Sequence, residues 1–331
     1  MATDLVDGFG RRVGDLRLSV TDRCNFRCTY CMPEEGLRWL PRDEILHYEE
    51  LARIARICVE RWGFDAIRIT GGEPLVRAGV DRLVAMLAPL RTDLALTTNG
   101  VKLAAEADAL AAAGLRRVNV SLDTLCPHTF REITRRDDLD RVLEGIDAAL
   151  AAGLTPVKLN CVVMRGVNDD DVVDLAAFGR DRGVDVRFIE FMPLDADGRW
   201  DHDRVVPAGE ILERIGAVFP TEPVAAPGAG HDEPAARHRY LDGAGEVGVI
   251  PSVTEPFCGR CDRVRVTADG RFRNCLFSLE ETDLRAIMRG GGSDDDVAAA
   301  IEASVAAKWA GHRIGHIDFI RPARSMSQIG G

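Results

Sequence analysis

Three cysteines lie close together near the start of the chain, in the segment CNFRCTYC. Cys24, Cys28 and Cys31 are spaced C-x3-C-x2-C, with an aromatic residue directly before the last cysteine. Three thiolates can hold a [4Fe–4S] cluster and leave one iron open for another ligand. Zinc usually takes paired C-x2-C units with two further ligands. The spacing therefore favours an iron–sulfur cluster, although a zinc site with a remote fourth ligand or inert thiols stay open as alternatives.

A second group of three cysteines lies in FCGRCDRVRVTADGRFRNCLF, residues 257–277. Cys258, Cys261 and Cys275 are spaced C-x2-C-x13-C, which again leaves one coordination position open. Zinc or part of a disulfide framework would be the ordinary alternatives. We expect the other cysteines, which lie alone in apolar stretches, to be buried small side chains. They are Cys58, Cys126 and Cys161.

The segment RITGGEPL, residues 68–75, follows the first cysteine group along the chain. Its paired glycines come directly after a predicted strand, where they would let the backbone approach a ligand closely. Glu73 offers a carboxylate that can accept hydrogen bonds from an ammonium group. On its own, such a segment could be an ordinary turn between a strand and a helix. Its position after a cysteine group indicates a ligand site instead.

Several cations interrupt apolar strand patterns. They are Arg17, Arg68, Lys158, Arg263 and Arg265. Arg and Lys side chains are rarely buried unless they are paired, so these residues need an anionic partner. Arg263 and Arg265 alternate along one predicted strand, so their side chains point to the same face. Five cations near the cysteine groups suggest a polyanionic ligand in a cavity, and a nucleoside triphosphate would suit them because guanidinium groups bind phosphate in a bidentate way.

The whole chain is acidic. Its 331 residues carry 42 Lys and Arg against 53 Asp and Glu, a net charge of -11. Non-specific nucleic-acid binding needs a basic surface, so we expect no nucleic-acid partner. The amino terminus lacks the apolar core of a signal peptide, and no apolar run is long enough to cross a membrane. We therefore predict a cytoplasmic protein with reduced thiols and no membrane association.

Strands and helices are predicted to alternate through the first two thirds of the chain. The predicted strands are 15–20, 66–70, 94–98, 117–122, 157–163 and 185–191. The predicted helices lie near 43–62, 79–90, 102–113, 138–152 and 169–182. This alternation favours an α/β fold with a parallel sheet and right-handed crossovers. Six units are too few for a closed eight-stranded barrel, so we predict a partial (βα)6 barrel of the TIM type, although an open doubly wound sheet remains possible.

The remainder of the chain has a different composition. Residues 220–236 are rich in Pro, Gly and Ala and are predicted to form a loop or linker. Short strand-like pieces then surround the second cysteine group, and a last helix is predicted near 294–309. We expect a barrel over residues 1–220 and a carboxyl-terminal region over residues 221–331. The chain ends in Gly330 and Gly331, which composition alone would assign to a disordered end.

The cysteine and glycine motifs together resemble the radical S-adenosylmethionine (SAM) superfamily. CNFRCTYC is similar to its C-x3-C-x-aromatic-C signature, and RITGGEPL is similar to its GGEP element, which lines the methionyl part of SAM. Further motifs resemble the family of GTP 3′,8-cyclases within that superfamily: LTTNG, NVSLDTL, EFMPL, FCGRCDRVRVTADG and the terminal Gly-Gly. The resemblance runs from about residue 13 to the last residue.

This resemblance implies a set of site residues. The cluster that binds SAM would be held by Cys24, Cys28 and Cys31, and a second, auxiliary [4Fe–4S] cluster would be held by Cys258, Cys261 and Cys275. Contacts to SAM would come from Tyr30, Gly72, Glu73, Ser121 and Met192. The GTP site would be lined by Arg17, Arg68, Thr97, Lys158, Arg263, Val264 and Arg265. The residues implied to act in catalysis are Arg17, Arg263 and Arg265.

The resemblance also implies a fold and a reaction. The auxiliary-cluster region would close a partial barrel, and the guanine would meet the open iron of that second cluster. A 5′-deoxyadenosyl radical would take the 3′ hydrogen of the GTP ribose. The product would be (8S)-3′,8-cyclo-7,8-dihydroguanosine 5′-triphosphate, in the first step of molybdenum cofactor biosynthesis. The Gly-Gly end would enter the active site. Implied partners are an electron donor, cyclic pyranopterin monophosphate synthase as the next enzyme, and a second copy in a homodimer.

Three other classes of protein remain open from the sequence. A radical SAM enzyme that modifies a peptide could also carry an auxiliary cluster, but it would not need a set of cations suited to a triphosphate. An iron–sulfur electron carrier would leave the GGEP element and the interior cations unexplained. A zinc-stabilised binding protein would contain no sulfide, so metal analysis separates it from the others.

Overall fold

The computed structural model describes residues 3–195, 198, 200–225 and 233–330. Twelve strands are formed: β1 (Asp15–Ser19), β2 (Ala66–Thr70), β3 (Asp93–Thr98), β4 (Arg117–Ser121), β5 (Lys158–Val163), β6 (Asp185–Glu190), β7 (Thr221–Pro223), β8 (Ala236–Tyr240), β9 (Glu246–Ile250), β10 (Arg263–Val266), β11 (Arg271–Arg273) and β12 (Thr282–Asp283). The α-helices are α1 (Tyr48–Trp62), α2 (Val80–Leu87), α3 (Leu103–Ala112), α4 (Pro127–Thr134), α5 (Leu139–Ala151), α6 (Val172–Arg182), α7 (Ala208–Val218), α8 (Leu284–Arg289), α9 (Asp294–Ala306) and α10 (Met326–Ile329).

The strands form one sheet in the order β12-β11-β10-β1-β2-β3-β4-β5-β6-β9-β8-β7. All neighbours from β10 to β9 are parallel, and antiparallel pairs extend both ends. The predicted α/β fold and its six strand–helix units are confirmed, with the six strands in sequence order. Two late strands lengthen the parallel run, because β10 joins β1 and β9 joins β6. Among the described residues no pairing joins β7 to β12, so hydrogen bonds do not close the sheet into a full barrel.

The two faces of the sheet differ in polarity. Alternate residues such as Leu16, Ile67 and Val118 are fully buried and pack among the helices. Residues between them, such as Arg17 and Arg68, point to the other face and line a cavity. This alternation follows from the two-residue repeat of a strand. The sheet therefore has an apolar outer core and a polar inner face.

Helix α1 illustrates how the sequence fixes the connecting segments. His47 and Glu50 form a reciprocal capping box at its start, and Gly63 ends it at φ 64°. Its buried residues include Leu51, Ile54 and Cys58, which recur at the spacing of one helical face. The helix thus covers the outer face next to β1 and returns the chain to begin β2.

Some local predictions were wrong. Helices α4 and α7 were not predicted; α4 begins at Pro127, and α7 lies beyond the last predicted strand. Residues 220–236 were predicted as a loop, yet β7 occupies part of that range; residues 226–232 lie outside the described part. Cys126 is exposed rather than buried, because it precedes Pro127 at the start of α4. Cys58 and Cys161 are buried, as predicted.

No helix of the described residues is both long and apolar enough to span a membrane.

Candidate active site

A cavity of about 720 Å³ lies on the polar face of the sheet. It is lined by residues of β1 to β6 and of β10, and by the loops that follow several of these strands. Because one cavity touches strands from β10 to β6, the sheet must curve around it. Both cysteine groups line this same cavity: Cys24, Cys28, Cys31, Cys258, Cys261 and Cys275.

The first cysteine group lies in the loop after β1, where the strand ends at the cavity. The Phe26 backbone N–H donates to Cys24 Sγ at 3.4 Å. Burial raises the pKa of the Cys24 thiol to about 12 and that of Cys31 to about 11, and a hydrogen bond from Ser327 opposes the shift at Cys31. Without a metal these thiols are protonated, so binding of iron must release their protons.

The donor set fits an iron–sulfur cluster better than a single ion. Among the described residues no three His, Cys, Asp or Glu side chains are arranged to hold one metal ion. A cluster presents separate irons to separate thiolates, so its three cysteines need not converge on one point.

The paired glycines of the GGEP segment are required by the cysteine loop itself. A Cβ atom on Gly71 would lie 2.7 Å from the carbonyl oxygen of Thr21, and one on Gly72 would lie 2.5 Å from that of Arg23. Backbone hydrogen bonds of 2.7 and 2.8 Å join the same segments, from Gly72 N to Thr21 O and from Glu73 N to Arg23 O. Any larger side chain would push the two loops apart.

Glu73 lies beneath this turn rather than in the cavity lining. Its carboxylate accepts hydrogen bonds from the backbone N–H groups of Leu75 (2.9 Å) and Asn99 (2.6 Å) and from the Thr98 hydroxyl (2.7 Å). Burial raises its pKa to about 7, although these donors oppose the shift. The structure thus gives Glu73 the role of tying β2 to the end of β3, and in this conformation it does not present the carboxylate to a ligand ammonium.

The other residues implied for SAM line the cavity beside the first cysteine group: Tyr30, Gly72, Ser121 and Met192. The Tyr30 hydroxyl donates to Asp123 Oδ2 at 2.8 Å, and the Val162 N–H donates to Asp123 Oδ1 at 2.8 Å. Asp123 therefore fixes the ring of Tyr30. Burial raises the pKa of Asp123 to about 6 against these two donors. Asp123 was not singled out from the sequence, although it stands within the NVSLDTL motif.

The second cysteine group approaches the cavity from the other side of β1. Cys258 lies in a short turn over Phe257–Arg260, Cys261 lies two residues before the first residue of β10, and Cys275 follows β11. Burial raises the pKa of the Cys258 thiol. At Cys261 burial acts in the same direction, but the charges of Arg263 and Lys308 lower the pKa overall. Cys261 is thus surrounded by positive charge.

The cations predicted from the strand patterns occupy the cavity wall between the two cysteine groups. Arg17 lies level with Arg68 on one side and Arg265 on the other. Burial lowers the pKa of Arg17 to about 10, and its Nε has no hydrogen-bond partner among the described residues. Burial also lowers the pKa of Arg265. Such closely spaced, buried guanidinium groups repel one another and favour an anionic ligand.

Two other residues implied for the GTP site differ in their placement. Thr97 lines the cavity from β3. Val264 is fully buried, its side chain packs in the apolar core, and it does not belong to the cavity lining.

Strand β5 and its neighbour contribute a further pair of cations. Lys158 Nζ lies 3.0 Å from Glu233 Oε1, and Arg187 pairs with the same carboxylate. An acidic side chain therefore already satisfies these cations inside the cavity. The sequence analysis did not single out Arg187. The segment DVR in β6 nevertheless repeats the pattern DLR of β1, with the cation at the third position. Arg117 on β4 also lines the cavity and was missed.

The carboxyl-terminal segment enters the cavity. Met326 and Ser327 belong to its lining, and the Gly330 carbonyl accepts a hydrogen bond of 2.6 Å from Arg265 Nη1. Gly330 has φ 86°, and a Cβ atom there would lie 2.9 Å from Ser19 Cβ. The end of the chain thus packs against β1 in the space between the cysteine groups; Gly331 lies outside the described residues.

Comparison with known proteins places these features in a family. Residues 18–179 match the model of the radical SAM superfamily, and residues 184–314 match the model named Molybdenum Cofactor Synthesis C. The structure of Streptococcus suis SuiB bound to S-adenosylmethionine is similar in fold, with a TM-score of 0.59, 13% sequence identity, and coverage of 82% of this chain and 64% of that chain.

Two curated relatives are similar over almost their whole length. The protein named GTP 3′,8-cyclase 2 of Mycobacterium bovis is 51% identical, over 99% of this chain and 92% of its own length. The GTP 3′,8-cyclase of Streptomyces coelicolor is 49% identical, over 99% of this chain and 96% of its own. With two groups of three cysteines facing one cation-lined cavity, the chain belongs to the GTP 3′,8-cyclase family of the radical SAM superfamily.

Proposed function

We propose that this chain converts GTP to (8S)-3′,8-cyclo-7,8-dihydroguanosine 5′-triphosphate, the first step of molybdenum cofactor biosynthesis. The observation that carries the proposal is that one cavity is lined by both cysteine groups and by a set of partly or fully buried cations. A cluster that binds SAM and a cluster that binds a nucleobase would face one another across that space. The triphosphate would supply negative charge to Arg17 and Arg265, and at Lys158 it would take the place of Glu233.

Each cysteine group would bind one iron–sulfur cluster. We assign the first [4Fe–4S] cluster to Cys24, Cys28 and Cys31, and the second to Cys258, Cys261 and Cys275. Tyr30, Gly72, Ser121 and Met192 would position SAM, and Glu73 would support them through the turn that it holds together. When bound, the reduced first cluster and SAM supply the radical that removes the 3′ hydrogen of the ribose.

The side chains of the cavity would bind GTP, orient it and shield the reacting atoms from water. Arg68, Thr97 and Lys158 would hold the triphosphate, and Val264 would keep its neighbours Arg263 and Arg265 in place from the core. Arg17, Arg263 and Arg265 would act closest to the reacting nucleoside, because they lie between the two cysteine groups. Holding the reacting atoms in contact gives much of the rate acceleration, and excluding water protects a reactive centre. The carboxyl-terminal segment would complete this enclosure.

Further proposals concern the surroundings of the enzyme. We infer that it works in the cytoplasm, receives electrons from a separate donor, and passes its product to cyclic pyranopterin monophosphate synthase. We also infer a homodimer. Within the chain, we assign residues 1–220 to the SAM-binding barrel and residues 221–331 to the region of the auxiliary cluster.

An anaerobic turnover experiment tests the proposed activity. The protein is reconstituted with iron and sulfide, mixed with SAM and a strong reductant, and assayed for 5′-deoxyadenosine with and without GTP. We expect GTP to increase its formation and an isomer of GTP to appear, whereas a Cys258→Ala variant should form no isomer. If the same amount of 5′-deoxyadenosine forms with and without GTP, the substrate assignment is overturned and the peptide-modifying alternative is favoured.

A further inference from the structure

Lys308 lies immediately beyond α9 and is almost completely buried, with 3% of its surface exposed. Its Nζ donates to the carbonyl oxygen of Cys261 at 3.0 Å and to that of Arg263 at 2.8 Å. The same nitrogen lies 3.8 Å from Cys261 Sγ. One ammonium group thus joins the turn that carries two cysteines of the second group to the start of β10.

Among the described residues no carboxylate forms a direct ion pair with this ammonium group, and only the more distant charge of Asp262, next to Cys261, partly offsets it. Its hydrogen bonds within the described residues go to two neutral carbonyl groups and a thiol. A buried charge is costly unless it is paired, and the guanidinium groups of Arg11 and Arg263 add further positive charge nearby. An anion placed at Cys261 would remove this imbalance. Three thiolates on an iron–sulfur cluster form such an anion.

The position of Lys308 is fixed by its neighbours. Arg11 donates to the carbonyl oxygens of Cys258 (2.6 Å) and Ala310 (2.8 Å), which binds the segment after Lys308 to the cysteine turn. A Cβ atom on Gly311 would lie only 3.0 Å from Cys258 Cβ, so the backbone at Gly311 packs directly on that cysteine. The segment that carries the lysine is therefore packed against the second group.

We propose that Lys308 is a positioning residue for the second cluster, which holds the Cys258–Cys261 turn and raises the reduction potential of that cluster by its positive charge. The inference rests on the proposed function, in which these cysteines bind a cluster. A reduced cluster carries one more negative charge than an oxidised one, so a fixed cation beside a ligand sulfur favours the reduced form. Hydrogen bonds and net charge around the sulfurs are known determinants of cluster potentials.

The test compares two substitutions in the full chain with both clusters reconstituted. Lys308→Gln keeps a donor for the carbonyl oxygens but loses the charge, and Lys308→Arg keeps the charge. Each protein is titrated anaerobically and followed by electron paramagnetic resonance. A reference with alanine at Cys24, Cys28 and Cys31 gives the spectrum of the second cluster alone. We expect Lys308→Gln to reduce the equilibrium constant for one-electron reduction at least tenfold, a shift of about 59 mV, and Lys308→Arg to shift it less than threefold.

Each outcome decides the proposal. An unchanged potential in Lys308→Gln with an intact second cluster would overturn it, as would equal shifts in both variants. Loss of the second cluster from Lys308→Gln alone would support the role of the charge, whereas loss from both variants would overturn it. The signal of the first cluster reports whether each variant is folded. If the unsubstituted protein binds only one cluster, the proposed function fails instead, and iron analysis shows this before any variant is made.

Discussion

At the scale of single residues, the inner face of the sheet is unusual because it is charged. Closed barrels of this type fill their interior mainly with branched apolar side chains. Here Arg17, Arg68, Lys158 and Arg265 line the corresponding wall. These cations could be predicted, since each interrupts an apolar strand. Their shared cavity was also predicted, but the alignment of Arg17 with Arg68 and Arg265 was not, because register depends on pairing between strands far apart in sequence.

Lys158 offers a direct test of the triphosphate site. A hydrogen bond to a charged group contributes about 1.5–3 kcal/mol. We therefore expect Lys158→Met to weaken GTP binding by roughly 10-fold to 100-fold, with SAM binding unchanged. The exposed Lys102 provides a matched control, because it does not belong to the cavity lining and Lys102→Met removes the same charge. Equal GTP affinities of the two variants in anaerobic equilibrium binding would remove Lys158 from the site.

Asp123 predicts how stability depends on pH. Its pKa in the folded protein is about 6, above its ordinary value of 3.8, because it is buried. Its contribution to stability is therefore fully present below pH 3.8 and is lost as the pH rises through 6. The loss is at most about 3 kcal/mol. The free energy of unfolding in urea is measured for the cluster-free protein at about pH 4.5 and about pH 7.5, on either side of this pKa. We expect it to fall more between these two pH values in the unsubstituted chain than in Asp123→Asn.

Both proteins carry all other titrating groups, so those contributions cancel in the comparison. Parallel pH profiles of the two proteins would show that Asp123 is ionised throughout, and that its hydrogen bonds outweigh its burial.

At the scale of elements, the carboxyl-terminal segment connects the two halves of the site. Arg324 forms two hydrogen bonds with Asp269, of 3.1 and 2.8 Å, and pairs with Glu281. Ser325 and Gln328 then cap α10 reciprocally. Composition alone indicated a disordered end, and only the family motif suggested a function for it. The anchoring carboxylates lie about 50 residues earlier in the chain, which no local pattern reveals.

Gly330 tests the importance of this segment. Alanine at position 330 would place its Cβ against Ser19 and Thr70, so we expect Gly330→Ala to lower turnover at least tenfold and to leave both clusters intact. Gly291→Ala is a matched control, since Gly291 has nearly the same φ, 87°, but no atom within 4 Å of the added Cβ. Deletion of Gly330 and Gly331 should have the same effect as Gly330→Ala. Full turnover in both variants would show that the terminal glycines are dispensable.

At the scale of the whole molecule, one sheet contains strands of both regions that the sequence analysis separated, residues 1–220 and 221–331. The six strands and the five helices between them were predictable, because short β-branched runs alternate with segments of which several show helical apolar spacing. The pairing of β10 with β1 and of β9 with β6 was not predictable, since short strands carry no signal that identifies a distant partner. Each pairing places a late strand against an edge that the first six strands would otherwise expose.

The sheet therefore predicts that residues 1–220 do not form a stable unit by themselves. Without β9 and β10 both edges of the parallel run would be open, and apolar residues such as Val249 and Val264 would no longer cover the core. Open edges pair with other chains. We expect the 1–220 fragment to aggregate or to be digested rapidly by protease, under conditions in which the full chain resists. A soluble fragment with cooperative unfolding and an intact first cluster would contradict this prediction, and would mean that the six-unit sheet is stable without its late strands.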